Sequence, residues 1–320
     1  MARVSGVFES IDSKLKKAVR LNGLDIEKAA ARVLGDAILS VWRYGMGPAP
    51  IVLKGGSLFP QTLRETDDAD LLTIRRYGNL EIQNGFNVIA RLLETRGITL
   101  EFLSPEAQEM DVGYGDPVTR YKVRGKVGGV GANTHIDLTL ARRPHALPPV
   151  IIDSVLPSFV DGIDLLRIKT VPLFTVGAEK WLAVLTQSPT DFRVKHLSDL
   201  FLLADVANLD AACIAEEITR VARHRGMTLA CCVAMPDTLR WTSLALREQA
   251  WNKLPETRRY GRSMFQVLID INAMWTDLHA QLCAKVTRHV RSNDVYEPMH
   301  LDRILASRGY DPRLKPAGAA

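Results

Sequence analysis

Apolar residues near the start of the chain recur at helical spacing. Residues 10–20 read as a short basic helix that stops at Asn22-Gly23. Ile26, Ala29, Ala30, Val33, Ala37, Ile38 and Val41 lay out a second helix, with Asp25 as its cap and Gly45-Met46-Gly47-Pro48 as its stop. The period then changes. Ile51-Val52-Leu53 predicts a short strand running into Gly55-Gly56, and Asp68 to Ile74 predicts a second strand after a short helical turn. An amphipathic helix over 82–94 closes at Gly97, Ile98 to Leu103 makes a third strand, and Pro105 to Pro117 reads as a polar loop. Arg120 to Val127 and Thr134 to Leu140 form a hairpin around a Gly128-Gly129-Val130-Gly131 turn. Pro144, Pro148, Pro149 and Pro157 punctuate the next stretch. Beyond it the pattern is nearly all helical, most clearly over 177–187, 193–207, 211–225 and 258–290. The predicted fold is α+β. A mixed, largely antiparallel sheet with helices occupies residues 1–165, a mostly helical domain occupies 166–320, and Gly309 to Ala320 forms a loose tail.

Composition narrows the class without naming it. With 320 residues, 47% hydrophobic and 24% charged, the chain is neither disordered nor fibrous. Its net charge of +5 suits an anionic partner but is too small to establish one. Cys213, Cys231, Cys232 and Cys283 form no C-x-x-C pair, so buried, unbridged cysteines are expected rather than a disulfide frame or structural zinc. The first residues lack the apolar core of a signal peptide, and no run of about 18 apolar residues predicts a membrane span. A cytoplasmic protein without a membrane partner is the expectation.

Candidate chemistry concentrates in Lys54-Gly55-Gly56-Ser57-Leu58 followed by Asp67-Asp68-Ala69-Asp70-Leu71. Strand alternation puts Asp68 and Asp70 on one face. Two such carboxylates repel by about 4 kcal/mol at 4 Å and an effective dielectric of 20. A cation relieves that, and magnesium, which prefers oxygen ligands and phosphates, is the natural choice. The bare N–H groups of a Gly-Gly-Ser turn suit a phosphate. Each motif alone also fits an ordinary solvated turn; together, at this spacing, they are far more specific. In His135-Ile136-Asp137-Leu138, alternation sends Ile136 and Leu138 to the core and Asp137 to the other face, where it could complete a three-carboxylate site. The glycines of 125–131 do not fit a dinucleotide fingerprint, and no P-loop, nucleophile elbow or H-E-x-x-H occurs.

These motifs, with Arg64-Glu65-Thr66 ahead of the aspartates, Glu179-Lys180-Trp181-Leu182-Ala183 and Lys195-His196-Leu197-Ser198-Asp199-Leu200, resemble the AbiEii/MenT-type nucleotidyltransferase toxins. The resemblance runs in order from about residue 50 to 200. It implies an enzyme in which Gly55, Gly56 and Ser57 hold nucleotide phosphates while Asp68, Asp70 and Asp137 bind Mg2+ or Mn2+. Lys180 would neutralise the triphosphate, and Lys195 and Asp199, one helical turn apart, would close over the nucleotide. His196 stands where the family carries the first Asp of D-x-x-D, a departure that bears on the role of that helix. The resemblance further implies an NTP as substrate, an RNA acceptor such as tRNA, pyrophosphate as product and a cognate antitoxin as partner.

Basic runs with aromatics could track RNA: Arg75-Arg76-Tyr77, Arg258-Arg259-Tyr260-Gly261-Arg262 and Lys285-Val286-Thr287-Arg288-His289-Val290-Arg291. Taken alone, each run reads first as a solvated helix face. Two other functions share the motifs: transfer to a small acceptor, as in antibiotic nucleotidyltransferases, and nucleotide binding without catalysis.

Overall fold

Asp25 caps the helix that organises the sheet. In the computed structural model its side chain accepts hydrogen bonds from the N–H groups of Glu27 and Lys28, both at 3.0 Å, and starts α2 (Ile26–Met46). The structure describes residues 2–59, 64–66, 68–102, 108–110, 116–141, 147–161, 163, 166–186, 194–207, 210–225, 227, 232–233, 244–254 and 259–291. Helix α1 (Ala2–Asn22) precedes α2 and begins well before the predicted residue 10.

The strands follow as β1 (Ile51–Lys54), β2 (Asp68–Thr73), β3 (Ile98–Phe102), β4 (Gln108–Met110), β5 (Val118–Val127), β6 (Val130–Leu140), β7 (Ile152–Leu156) and β8 (Leu166–Thr170). Helix α3 (Asn79–Glu94) lies between β2 and β3. Their order is β3-β5-β6-β2-β1-β8-β7, with β4 also pairing to β5. Neighbours are antiparallel except β1 with β8 and β2 with β6. The sheet is thus mixed and largely antiparallel, as the pattern implies.

Three elements differ from the sequence reading. Part of the polar loop over 105–117 is strand β4. The hairpin turn is the pair Gly128-Gly129, because Val130 and Gly131 already pair with Val127 and Lys126. Strands β7 and β8 lie in the stretch that reads only as proline-punctuated; the intervening Pro157 ends a strand rather than excluding one. Strand β8 belongs to the sheet, and the first compact unit runs through Val176.

One sheet face is covered. Leu53, Ala69, Leu71, Tyr121, Val123, Val127, Ile136, Leu138, Leu166 and Ile168 join Val33, Leu34, Ile38 and Trp42 of α2 in one core. Burial of this apolar stripe, at about 25 cal/mol per Å2, holds the helix to the strands. The alternate strand positions, Asp68, Asp70, Arg120 and Asp137 among them, therefore belong to the other face.

The second unit begins at Gly177, within α4 (Leu173–Thr186), and contains α5 (Val194–Ala207), α6 (Ala211–His224), α7 (Leu244–Asn252) and α8 (Met264–Arg291). Helix α8 packs against α5, α6 and α7. The rings of Trp181 and Trp275 pack at 5.2 Å between centroids, tilted by 38°, and the Trp251 indole N–H donates to the carbonyl of Arg262 at 3.0 Å. Cys232 is buried as expected, whereas Cys213 is exposed near the start of α6 and Cys283 is half-buried. The tail over 309–320 and the run at 292–308 lie outside the described residues.

Candidate active site

The end of β1 makes a turn that only glycine fits. Gly55 has φ +69°, and a Cβ there would land on the carboxylate of Asp70. A Cβ on Gly56 would collide with the guanidinium of Arg64. The bare backbone of the 3-10 turn Gly55–Leu58 thus lets an acid and a cation approach it closely. Arg64, itself buried, lies 6.0 Å from the centre of the Phe59 ring.

From the core side, Arg32 of α2 fixes the turn. Its guanidinium donates to the carbonyl of Ser57 at 2.7 Å and to that of Phe59 at 3.4 Å, and it pairs with Asp36 at 2.9 Å. Burial pushes the Asp36 carboxyl up, and Arg32 works against that shift. The Ser57 hydroxyl donates to the backbone carbonyl of Asp68. In this geometry the hydroxyl ties the turn to the D-x-D strand rather than standing open to a phosphate. We expect Ser57→Ala to destabilise the protein by about 1 kcal/mol, the net worth of one hydrogen bond. Denaturant unfolding measures this, and an unchanged midpoint would contradict the tie.

Strand register brings the aspartates to one face. Asp70 pairs with Asp137 across the parallel β2–β6 ladder, and Asp68 pairs with His135. The imidazole Nδ1 of His135 lies 3.4 Å from the Asp68 carboxylate. Asp137 is bound elsewhere. Arg120, its register partner on β5, donates through Nε and Nη2 to its two carboxylate oxygens, at 2.8 and 2.7 Å. Those bonds to Asp137, then the charges of Asp137, Asp68 and Asp70, push the Arg120 pKa above its ordinary value, so this guanidinium sits in the field of all three acids. Among the described residues, no three acidic, histidine or cysteine side chains converge closely enough to hold a metal ion. The three carboxylates expected together from sequence thus share one sheet face, with Asp137 gripped by Arg120. Asp68 and Asp70 still fit magnesium or manganese. Their donors are all oxygen, and Mg2+ commonly takes one or two carboxylates and completes its shell with water and substrate phosphate.

The motif residues of the helical unit form their own pair. Lys180 of α4 lies 3.4 Å from the carboxylate of Asp199 on α5, and Asp199 is fully buried. Lys180 is itself mostly buried, unlike the usual solvated helix lysine. Lys195 is exposed. His196, which stands where the family carries the first Asp of D-x-x-D, is 9% exposed.

Sequence reasoning missed Arg120 and Arg32. Arg120 is recoverable only once the turn is known. Arg32 carries a signal in its i, i+4 spacing to Asp36 on an otherwise apolar helix face. Of the basic runs, Arg75 lies over the Tyr77 ring at 5.1 Å and pairs with Glu81, and Tyr77 itself lies in the core rather than open to a base. Residue 258 lies outside the described residues. A cavity of about 710 Å3 lined by Trp42, Arg43, Pro50, Arg167 and Lys169 opens at the start of β1, away from the glycine turn, and takes in none of the three aspartates.

Residues 47–288 match the family described as nucleotidyl transferase AbiEii toxin, type IV toxin–antitoxin system. The chain belongs to the AbiEii nucleotidyltransferase toxin family. It is accordingly a nucleotidyltransferase, and the glycine turn and D-x-D strand fall within the matched region. Among solved structures, JHP933 from Helicobacter pylori is 12% identical with a TM-score of 0.44, covering 81% of this chain and 94% of that one. A second H. pylori protein, described as a candidate nucleotidyltransferase, is 15% identical with a TM-score of 0.45, covering 78% and 93%. Among curated proteins, none matches the chain by sequence. No helix among the described residues is long and apolar enough to cross a membrane.

Proposed function

We propose that this AbiEii-family chain transfers a nucleoside monophosphate from an NTP to the terminal hydroxyl of an RNA, tRNA in the first instance, with Mg2+ or Mn2+ and a cognate antitoxin as its opponent. The observation that carries the reading is the glycine turn of β1 set beside Asp68, Asp70 and Asp137 on one sheet face. The acceptor oxygen bonds to the α-phosphorus, the bond to the leaving pyrophosphate breaks, and the hydroxyl proton passes to solvent or a neighbouring carboxylate.

Asp68 and Asp70 would hold the divalent ion. When bound, the ion offsets charge on the reacting phosphates. Backbone N–H groups at Gly55, Gly56 and Ser57 would donate to the phosphates, with Arg64, packed against Gly56, adding positive charge. Arg120 would keep Asp137 fixed beside Asp70. Lys180, Lys195 and Asp199 would serve nucleotide binding, a role supported by the family motif and by the buried Lys180–Asp199 pair.

The test is incubation of the full chain and Mg2+ with each of four α-labelled NTPs, using bulk tRNA or small acceptors. We expect label in tRNA, with one NTP preferred. Label only in small acceptors would replace the RNA reading with the antibiotic-type one. No label with any NTP would contradict transfer altogether.

A further inference from the structure

The face that carries the aspartates also carries a row of cations. Strand β5 alternates Arg120, Lys122, Arg124 and Lys126 with Tyr121, Val123, Gly125 and Val127. The second set faces the core. The first set therefore shares the face of Asp137, with successive members about 6.8 Å apart and the whole row about 20 Å long at 3.4 Å per residue. Lys122, Arg124 and Lys126 are all exposed.

Their neighbours leave the row strongly positive. Across β6 they pair in register with His135, Asn133 and Gly131, none of them acidic. Arg124 donates to the side-chain carbonyl of Asn133 at 3.4 Å. Across β3, Lys126 faces Thr99 and Arg124 faces a carboxylate, Glu101, while Asp12 of α1 accepts from the Gly129 N–H at the turn. One end of the row is Arg120, already bound to Asp137, and the other reaches the β5–β6 turn.

We propose that Lys122, Arg124 and Lys126 form a track for the phosphate backbone of the acceptor RNA, leading from the aspartate face toward the β5–β6 turn. The inference rests on the RNA-acceptor reading above and adds where that RNA runs. An evenly spaced single file of cations suits a repeating polyanion more than a compact ligand, and it contacts backbone rather than bases. Binding along it is therefore independent of sequence.

The test measures binding of fluorescently labelled bulk tRNA to the full chain between 50 and 200 mM salt. Lys122→Ala/Arg124→Ala/Lys126→Ala is compared with Lys14→Ala/Lys17→Ala/Arg20→Ala, which removes the same charge from exposed positions of α1. Each lost phosphate contact flattens the slope of log K against log salt by about 0.7–0.9, so the row variant should flatten it by about two to three. The α1 variant should change it by less than one, and Lys122→Arg/Lys126→Arg should keep the parent slope. Equal slopes for parent and row variant, or equal losses in the row and α1 variants, would overturn the track. If the parent still labels tRNA in that case, the RNA-acceptor reading survives and only the track falls. If the parent neither binds nor labels tRNA but labels a small acceptor, the RNA reading falls and the track with it.

Discussion

Asp70→Asn should abolish nucleotidyl transfer while leaving the fold intact. The change keeps the side chain's shape against Gly55 but removes a charge from the face proposed to hold the divalent ion. A loss of about 4 kcal/mol in transition-state stabilisation is expected, roughly a thousandfold in rate at 1.36 kcal/mol per tenfold. Metal-free stability should stay within about 1 kcal/mol. Neutralising one of the acids facing Asp137 relieves repulsion, while loss of charge opposite Lys54, the register partner of Asp70, acts the other way. Because the family is one of toxins, the parent should arrest growth when expressed alone and the variant should not. Melting curves and growth on induction read the two halves. Parent-like melting with undiminished arrest would mean that toxicity does not run through this face.

Arg120→Ala should show the opposite balance, with a large effect on stability. The Asp137 side chain is 8% exposed, and Arg120 satisfies both its oxygens. Removing the guanidinium leaves a buried carboxylate beside Asp70 with no cation bonded to it. Breaking one partner of a buried pair costs about 3–5 kcal/mol; Arg120 is itself 29% exposed, which puts the expected loss near 2–3 kcal/mol. Millimolar Mg2+ should then raise the melting temperature of the variant more than that of the parent, because the freed carboxylate becomes available to the ion. A variant that melts like the parent, with or without Mg2+, would show that the Arg120–Asp137 bonds contribute nothing to the site.

Much of this centre was legible because its signals are local. The Asp25 cap, the same-face placement of Asp68 and Asp70, and the inward turn of Ile136 and Leu138 each follow from a few neighbouring residues. Arg120 was not legible because its role depends on strand register. A four-residue turn at Gly128–Gly131 would set Arg120 opposite Thr139, whereas the observed two-residue turn sets it opposite Asp137. Strands β7 and β8 alternate clearly, as in Leu166-Arg167-Ile168-Lys169-Thr170, but each has only five residues and lies in a stretch dominated by prolines. Lys180 is mostly buried and His196 buried by tertiary packing that no helical periodicity announces, and Tyr77 lies in the core although its neighbours read as a basic run.

The most direct test of the central claim is the position of Mn2+ in crystals of the full chain soaked with Mn2+ and a non-hydrolysable NTP, read from anomalous scattering. The proposed site predicts an ion within oxygen-ligand distance, about 2.1 Å for the smaller Mg2+, of carboxylates from both Asp68 and Asp70, with the nucleotide phosphates against Gly55–Ser57. An ion and nucleotide bound elsewhere, with Asp68 and Asp70 free of both, would contradict it.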